Sequence, residues 1–216
     1  MLTDVRTSVA DRLAVYLVAD PGATLGRPLD DLVASAVRGG ATLVQLRAKT
    51  LSTRAFVEQA RALLALLHPL DVPLVINDRV DVALAAGADG VHVGQDDMAA
   101  EDARRLLGAR AIVGVSVTDA AQLRAVDAGV VDYVGVGPVF ATGSKADAAT
   151  PLGLDGLAAL CEASTLPVVA IGGITVRNAR AVTACGAAGV SVISAICGAP
   201  DAEAAARALR AAVAPR

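Results

Sequence analysis

Tryptophan is absent from this chain of 216 residues, and two tyrosines and two phenylalanines are its only aromatic side chains. With a formal net charge of −3, it lacks the basic stripes and stacking rings by which proteins hold nucleic acid. No apolar run approaches the roughly 20 residues of a membrane-spanning helix. The N-terminus, Met1-Leu2-Thr3-Asp4-Val5-Arg6, carries an early acid and no apolar export core. Cys161, Cys185 and Cys197 lack CxxC or histidine-paired spacing, so they read as small buried hydrophobes of a reducing compartment. The expectation is a cytoplasmic protein with small-molecule substrates, no nucleic-acid or membrane partner, and a homodimer as its assembly.

Lysine is scarce as well. Of nineteen cationic residues only Lys49 and Lys145 are lysines, and both close polar or glycine-rich loops after apolar runs. A compositional drift toward alanine and arginine explains the general replacement of lysine. A compact, mobile ammonium is something the planar arginine fork does not imitate. The two survivors therefore read as anion ligands.

Short β-type runs alternate with helical stretches along the whole chain. The strand candidates are Leu13–Val18, Leu43–Leu46, Pro73–Ile76, Gly90–Val93, Ile112–Val115, Tyr133–Val136, Pro167–Ala170 and Gly189–Ile193. Helical stretches include Leu29–Arg38, Thr53–Leu67, Ala99–Leu107, Ala120–Ala128 and Val176–Cys185. Eight such units over residues 1–216 predict a single α/β domain, a (β/α)8 TIM barrel whose doubly buried strands are rich in valine, isoleucine and leucine. Gly40, Gly87, Gly129 and Gly186 recur at intervals of 47, 42 and 57 residues. Each is expected to end a helix in the left-handed conformation before an even-numbered strand. The longest interval contains Ala141–Pro151, an enlarged loop after strand 6, and such loops are usually functional. No GxGxxG follows strand 1, which disfavours a doubly wound sheet.

Chemistry in a barrel gathers where the strands end. Strand 2 ends in Gln45, Arg47 and Lys49, spaced by two, so an extended chain turns all three to one side, that of Leu43 and the barrel interior. A glutamine, an arginine fork and an ammonium converging there describe a pocket for a polyanion such as a diphosphate. Strands 3 and 4, neighbours in a barrel, end in Asn77-Asp78 and Gln95-Asp96-Asp97. Asp78 and Asp97 beside that pocket suit Mg²⁺, which takes one or two carboxylates plus phosphate oxygens and keeps several waters. Asp96 is the alternative to Asp97. Strand 5 ends in Ser116. Gly172-Gly173 after strand 7 and Ser194 after strand 8 form a second anion site, lined further by Thr142, Gly143 and Ser144, with Lys145 reaching over one of the two. His92 points inward by parity and reads as a hydrogen-bonded core histidine; His68, at a helix end before Pro69, faces solvent.

The ordered set of these motifs resembles the thiamine phosphate synthase family over nearly the whole chain. Its pieces are Gln45-Leu46-Arg47-Ala48-Lys49, Ile76-Asn77-Asp78, Val91-His92-Val93-Gly94-Gln95-Asp96-Asp97, Gly114-Val115-Ser116, Thr142-Gly143-Ser144-Lys145, Ile171-Gly172-Gly173-Ile174 and Val192-Ile193-Ser194. The resemblance implies an alkyl transfer that joins a hydroxymethylpyrimidine diphosphate to a thiazole phosphate, giving thiamine phosphate and pyrophosphate. It implies that Gln45, Arg47, Lys49, Asn77, Ser116 and Lys145, with Leu46 and Ala48 in the same segment, bind the pyrimidine diphosphate. Arg47, Lys49, Lys145 and Ser116 are the catalytic candidates among them. It implies one Mg²⁺ per active site on Asp78 and Asp97, and a thiazole phosphate held by Thr142, Gly143, Ser144, Gly173, Ile193 and Ser194. Ala141 and Ser144 stand where the family usually has proline and threonine, which loosens the loop and keeps the hydroxyl. The alternatives are a thiazole tautomerase of the same barrel family and a catalytically silent thiamine-phosphate-binding regulator.

Overall fold

Each of the eight apolar runs forms a strand, and in a computed structural model the strands close a parallel barrel in the order β1 to β8. The structure describes residues 5–143 and 150–214. Helix α1 (Val5–Arg12) precedes β1 (Val15–Ala19), and α2 (Leu29–Arg38) leads to β2 (Leu43–Leu46). Then follow α3 (Thr53–Leu67), β3 (Leu74–Asn77), α4 (Val80–Ala86), β4 (Gly90–Val93), α5 (Ala100–Leu107) and β5 (Ile112–Val117). The remaining elements are α6 (Ala120–Ala125), β6 (Tyr133–Val136), α7 (Gly153–Ala163), β7 (Val168–Ile171), α8 (Val176–Ala184), β8 (Gly189–Val192), the single turn α9 (Ser194–Cys197) and α10 (Ala202–Val213). Among the described residues no helix is long and apolar enough to cross a membrane.

Two apolar layers result from the strand period of two. Val44, Leu46, Leu74, Ile76, Val91, Val93, Val113, Val134, Val168 and Val190 face outward into one large core beneath the helices. Their neighbours Tyr16, Leu43, Val75, Ile112, Tyr133 and Val169 face inward, and Val9 and Leu13 join them from the chain before β1. Burying each aliphatic side chain stabilises the fold by roughly 1.5–3 kcal/mol. The larger outer layer therefore holds the barrel together, which leaves the interior free to carry polar groups toward one mouth. Cys197 is fully buried, and burial pushes its thiol up to about 11, so it behaves as the small hydrophobe the sequence suggests, whereas Cys161 and Cys185 are only half-buried.

The helix-ending glycines divide. Gly40, Gly87 and Gly186 adopt positive φ as expected. Gly39 does not (φ −75°); it is small because a Cβ there would stand 2.3 Å from the Glu203 carbonyl of α10. The expectation fails at Gly129, which is not left-handed. Helix α6 already ends at Ala125, three residues short of the predicted Ala128, and the Asp127 carboxylate accepts the Gly129 N–H at 2.7 Å to make the turn. A side-chain acceptor thus replaces the glycine's conformational freedom at that corner.

Candidate active site

The mouth where the strands end collects the polar side chains. Along β2 and the residues that follow it, the side chains of Leu46 and Ala48 pack into the outer core, while Gln45 lies buried inside and Arg47 and Lys49 continue on its side. Any part Leu46 and Ala48 play in binding falls to their main chain.

Arg47 does not stand alone. Its Nη1 donates to Asp20 Oδ2, and the two side chains are each 16% exposed. Asp20 directly follows β1, and its other oxygen accepts the Gly22 N–H at 2.9 Å, which fixes the carboxylate against the turn. One face of the guanidinium is therefore neutralised and oriented. Its Nε, by contrast, is buried without a hydrogen-bond partner, the only such side-chain nitrogen or oxygen among the described residues. A buried N–H with no acceptor is costly, by roughly 1–3 kcal/mol. Its presence beside a neutralised fork suits a bound anion that supplies the missing oxygen.

Asp78 sits in the left-handed region (φ +62°), which turns the chain sharply after β3. Lys49 Nζ donates to its Oδ2 at 2.6 Å, and Asn77 Nδ2 donates to its Oδ1. Asp97 reaches the same point from the loop after β4, where its Oδ2 accepts the Gly94 N–H at 2.8 Å. Partial desolvation raises the Asp97 carboxyl above the ordinary aspartate range; its contact with Asp78 adds to the rise, and Lys49 opposes it. Two carboxylates that feel one another across the rim are suitably placed to share a cation. Asp97 is thus the partner that meets Asp78. Among the described residues no cluster of three or more histidine, cysteine or carboxylate side chains exists. Two hard oxygen donors in an open rim fit Mg²⁺, which completes its shell with water and phosphate, better than a closed zinc or calcium cage.

Between these charges and the barrel floor runs a hydrogen-bonded chain. Gln45 Nε2 donates to Tyr16 Oη at 2.5 Å, Tyr16 Oη meets Tyr133 Oη at 2.8 Å, Tyr133 Oη meets His92 Nδ1 at 2.9 Å, and His92 Nε2 meets Ser116 Oγ at 3.0 Å. Burial pushes both phenols well above the ordinary tyrosine range, Tyr133 further through its neighbour Tyr16, so both stay neutral. Gln95 Nε2 donates to the Ser116 carbonyl at 2.7 Å and ties the β4 loop to β5.

The described residues predicted for a second anion site lie in the loops after β6, β7 and β8. Gly172 and Gly173 take φ +101° and +63°, and Phe140 N donates to the Gly172 carbonyl at 3.0 Å, drawing the β6 loop against the β7 loop. A Cβ at Gly173 would meet the Ala141 carbonyl at 2.6 Å and Phe140 Cβ at 2.7 Å. Gly173→Ala should therefore destabilise the protein by about 2–4 kcal/mol, combining the left-handed penalty with overpacking. An unchanged Tm in a thermal melt would show that the loop yields instead. Gly143 and Ile193 line a cavity of about 380 Å³ together with Asp20, Gly22 and Ala23. Ser194 opens α9 and is exposed, and Thr142 is half-buried beside Gly143. Ser144 and Lys145 lie outside the described residues. A larger cavity of about 450 Å³ opens at the opposite end of the barrel among Arg12, His68, Asp71 and Arg110. Asp71 already pairs with Arg12 there at 2.9 Å, and none of the strand-end ligands is near it.

Reading from strand 2 onward misses Asp20, although it directly follows β1 before Pro21-Gly22 at the same mouth. The two tyrosines carry no local signal; only the scarcity of aromatic residues sets them apart.

The sequence matches the family described as thiamine monophosphate synthase over residues 15–196. It is 55% identical over 201 residues to a thiamine-phosphate synthase of Xanthobacter autotrophicus, covering 93% of this chain and 95% of the relative. It is 58% identical over 196 residues to a thiamine-phosphate synthase of Solidesulfovibrio magneticus, covering 91% and 93%. Among solved structures, a thiamine phosphate pyrophosphorylase from Pyrococcus furiosus superposes with a TM-score of 0.86 at 37% identity, over 95% of this chain and 97% of that one.

Proposed function

The chain belongs to the thiamine monophosphate synthase family, and from that premise we propose how its barrel mouth performs the family's reaction. The activity is thiamine-phosphate synthesis, a transfer of an alkyl group. The relatives give no support to a tautomerase or a silent regulator.

The pyrimidine's C–O bond to the diphosphate breaks, and its electron pair leaves with the pyrophosphate oxygen. The aminopyrimidine ring stabilises the methylene cation, and the thiazole nitrogen then donates its lone pair to that carbon. No covalent nucleophile is needed from the protein. Arg47, Lys49 and Lys145 neutralise the departing pyrophosphate, with Asn77 beside them. Asp78 and Asp97 would hold one Mg²⁺, which supplies further charge neutralisation for the leaving group. Gln45 and Ser116 orient the pyrimidine, while Thr142, Gly143, Ser144, Gly173, Ile193 and Ser194 hold the thiazole phosphate in line. The observation that carries this reading is the convergence, at the ends of β2, β3 and β4, of an arginine with an unpartnered Nε, a lysine and two neighbouring aspartates.

The test mixes the pyrimidine diphosphate and the thiazole phosphate with the protein and follows pyrophosphate and thiamine phosphate. Both should appear in equal amounts with Mg²⁺ and cease when EDTA is added. Pyrophosphate release that persists at full rate in EDTA would remove the metal from the proposal, and no thiamine phosphate under any condition would remove the reaction.

A further inference from the structure

The hydrogen-bonded chain inside the barrel has a direction that follows from its chemistry. An amide nitrogen only donates, so Tyr16 Oη accepts from Gln45 and must send its own proton to Tyr133. Tyr133 has then accepted, and its proton goes to His92 Nδ1. With Nδ1 as the acceptor, a neutral imidazole carries its proton on Nε2 and donates it to Ser116 Oγ. With Gln45 Nε2 facing Tyr16, any reversal further along leaves a phenolic O–H in a fully buried position without an acceptor, which is costly. At the two ends, Gln45 keeps a carbonyl oxygen to offer, and Ser116 keeps a hydroxyl proton to offer.

The interior is shaped around this chain. A Cβ at Gly114 would stand 2.1 Å from Tyr133 Cζ, and one at Gly135 would stand 3.0 Å from His92 Cε1. Strands β5 and β6 thus give up inward side chains where the phenol and the imidazole need room.

We propose that His92, Tyr133 and Tyr16 are positioning residues that polarise the pocket floor, so that Gln45 presents an acceptor and Ser116 a donor to the pyrimidine. Resting on the function proposed above, this makes the relay the determinant that selects an aminopyrimidine over its oxo counterpart. The amine matches the Gln45 carbonyl, and an unprotonated ring nitrogen matches the Ser116 hydroxyl. A 4-oxo ring offers an acceptor oxygen in place of the amine and a ring N–H in place of an acceptor nitrogen, so it meets both ends with the wrong polarity.

The experiment compares kcat/KM for the 4-amino and 4-oxo forms of 2-methyl-5-(hydroxymethyl)pyrimidine diphosphate, with Mg²⁺ and thiazole phosphate, in the parent and in Tyr133→Phe. The two substrates ionise at different intrinsic rates, and that difference cancels when their ratio in the variant is divided by their ratio in the parent. The amino preference should fall at least tenfold and KM for the aminopyrimidine diphosphate should rise. KM for the thiazole phosphate should stay within twofold, which general loosening of the barrel would not leave in place. Tyr16→Phe should act in the same direction and serves if Tyr133→Phe does not fold. In a Ser116→Ala background, Tyr133→Phe should change the ratio by clearly less than in the parent, because one arm of its effect travels through that hydroxyl and only the arm through Tyr16 to Gln45 remains. A preference unchanged within twofold in folded Tyr→Phe variants, or a full tenfold effect that persists without the Ser116 hydroxyl, overturns the relay while the parent's synthase activity stands. A parent that makes no thiamine phosphate from the amino substrate overturns the underlying function, and this inference with it.

Discussion

An Arg47→Met variant should process the pyrimidine diphosphate one hundred to one thousand times more slowly than the parent. Such a loss corresponds to about 2.7–4 kcal/mol of transition-state stabilisation, the magnitude seen when one preorganised charge-stabilising donor is removed. The expectation rests on geometry. Asp20 holds one edge of the guanidinium, and the unpartnered Nε leaves a buried donor for the leaving group. Methionine retains most of the stem's packing and removes the fork. It also strands Asp20, a carboxylate only 16% exposed, and a buried pair broken on one side can cost about 3–5 kcal/mol of stability. The double variant Asp20→Asn, Arg47→Met separates the two effects: it should recover most of the lost Tm and none of the lost turnover. Arg47→Lys keeps a charge without the bidentate edge and should fall between. A kcat/KM within threefold of the parent for Arg47→Met would take this side chain out of the reaction.

Asp78→Asn is the second large effect expected. The Mg²⁺ concentration for half-maximal pyrophosphate release should rise at least about a hundredfold, since even outer-shell partners of a metal contribute ten- to a hundredfold. Asparagine is the informative replacement because it tolerates the left-handed backbone that Asp78 occupies, so the change tests charge without adding strain. Stability should move little at neutral pH, for a reason of sign. Asp97 titrates above its ordinary range in the folded protein, through partial desolvation and then the nearby Asp78 carboxylate. A carboxyl raised on folding makes the fold less stable as pH climbs past its unfolded value, and removing the like charge relieves part of that cost. Against this stands the Lys49–Asp78 pair, whose lysine is 57% exposed and which contributes about 0–1 kcal/mol. An activity lost together with a large fall in Tm would mark Asp78 as structural. A metal requirement that does not shift would remove it as a ligand.

Much of the architecture was legible because it depends on neighbours along the chain. Strands β2, β4 and β6 and helices α2 and α3 have the bounds read from alternation and helical period alone. The same parity placed Gln45, Arg47 and Lys49 on one side and Leu46 and Ala48 on the other, as the burial of the two apolar residues bears out. Boundaries slipped where a side chain intervened, as at Asp127, whose carboxylate made the corner expected of Gly129.

What local order determined, then, is the barrel, the mouth where its polar side chains gather and the inward row that β2 begins, since each follows from spacings of two to four residues. Only the closed tertiary structure decided which groups meet: Asp20 against Arg47, Asp97 against Asp78, and the relay joining Tyr16 to Tyr133 across 117 residues. Those meetings depend on strand register around the cylinder and on which small residues vacate its interior. Hydrogen bonds between successive strands around the closed barrel set that register, and no stretch of adjacent residues encodes it.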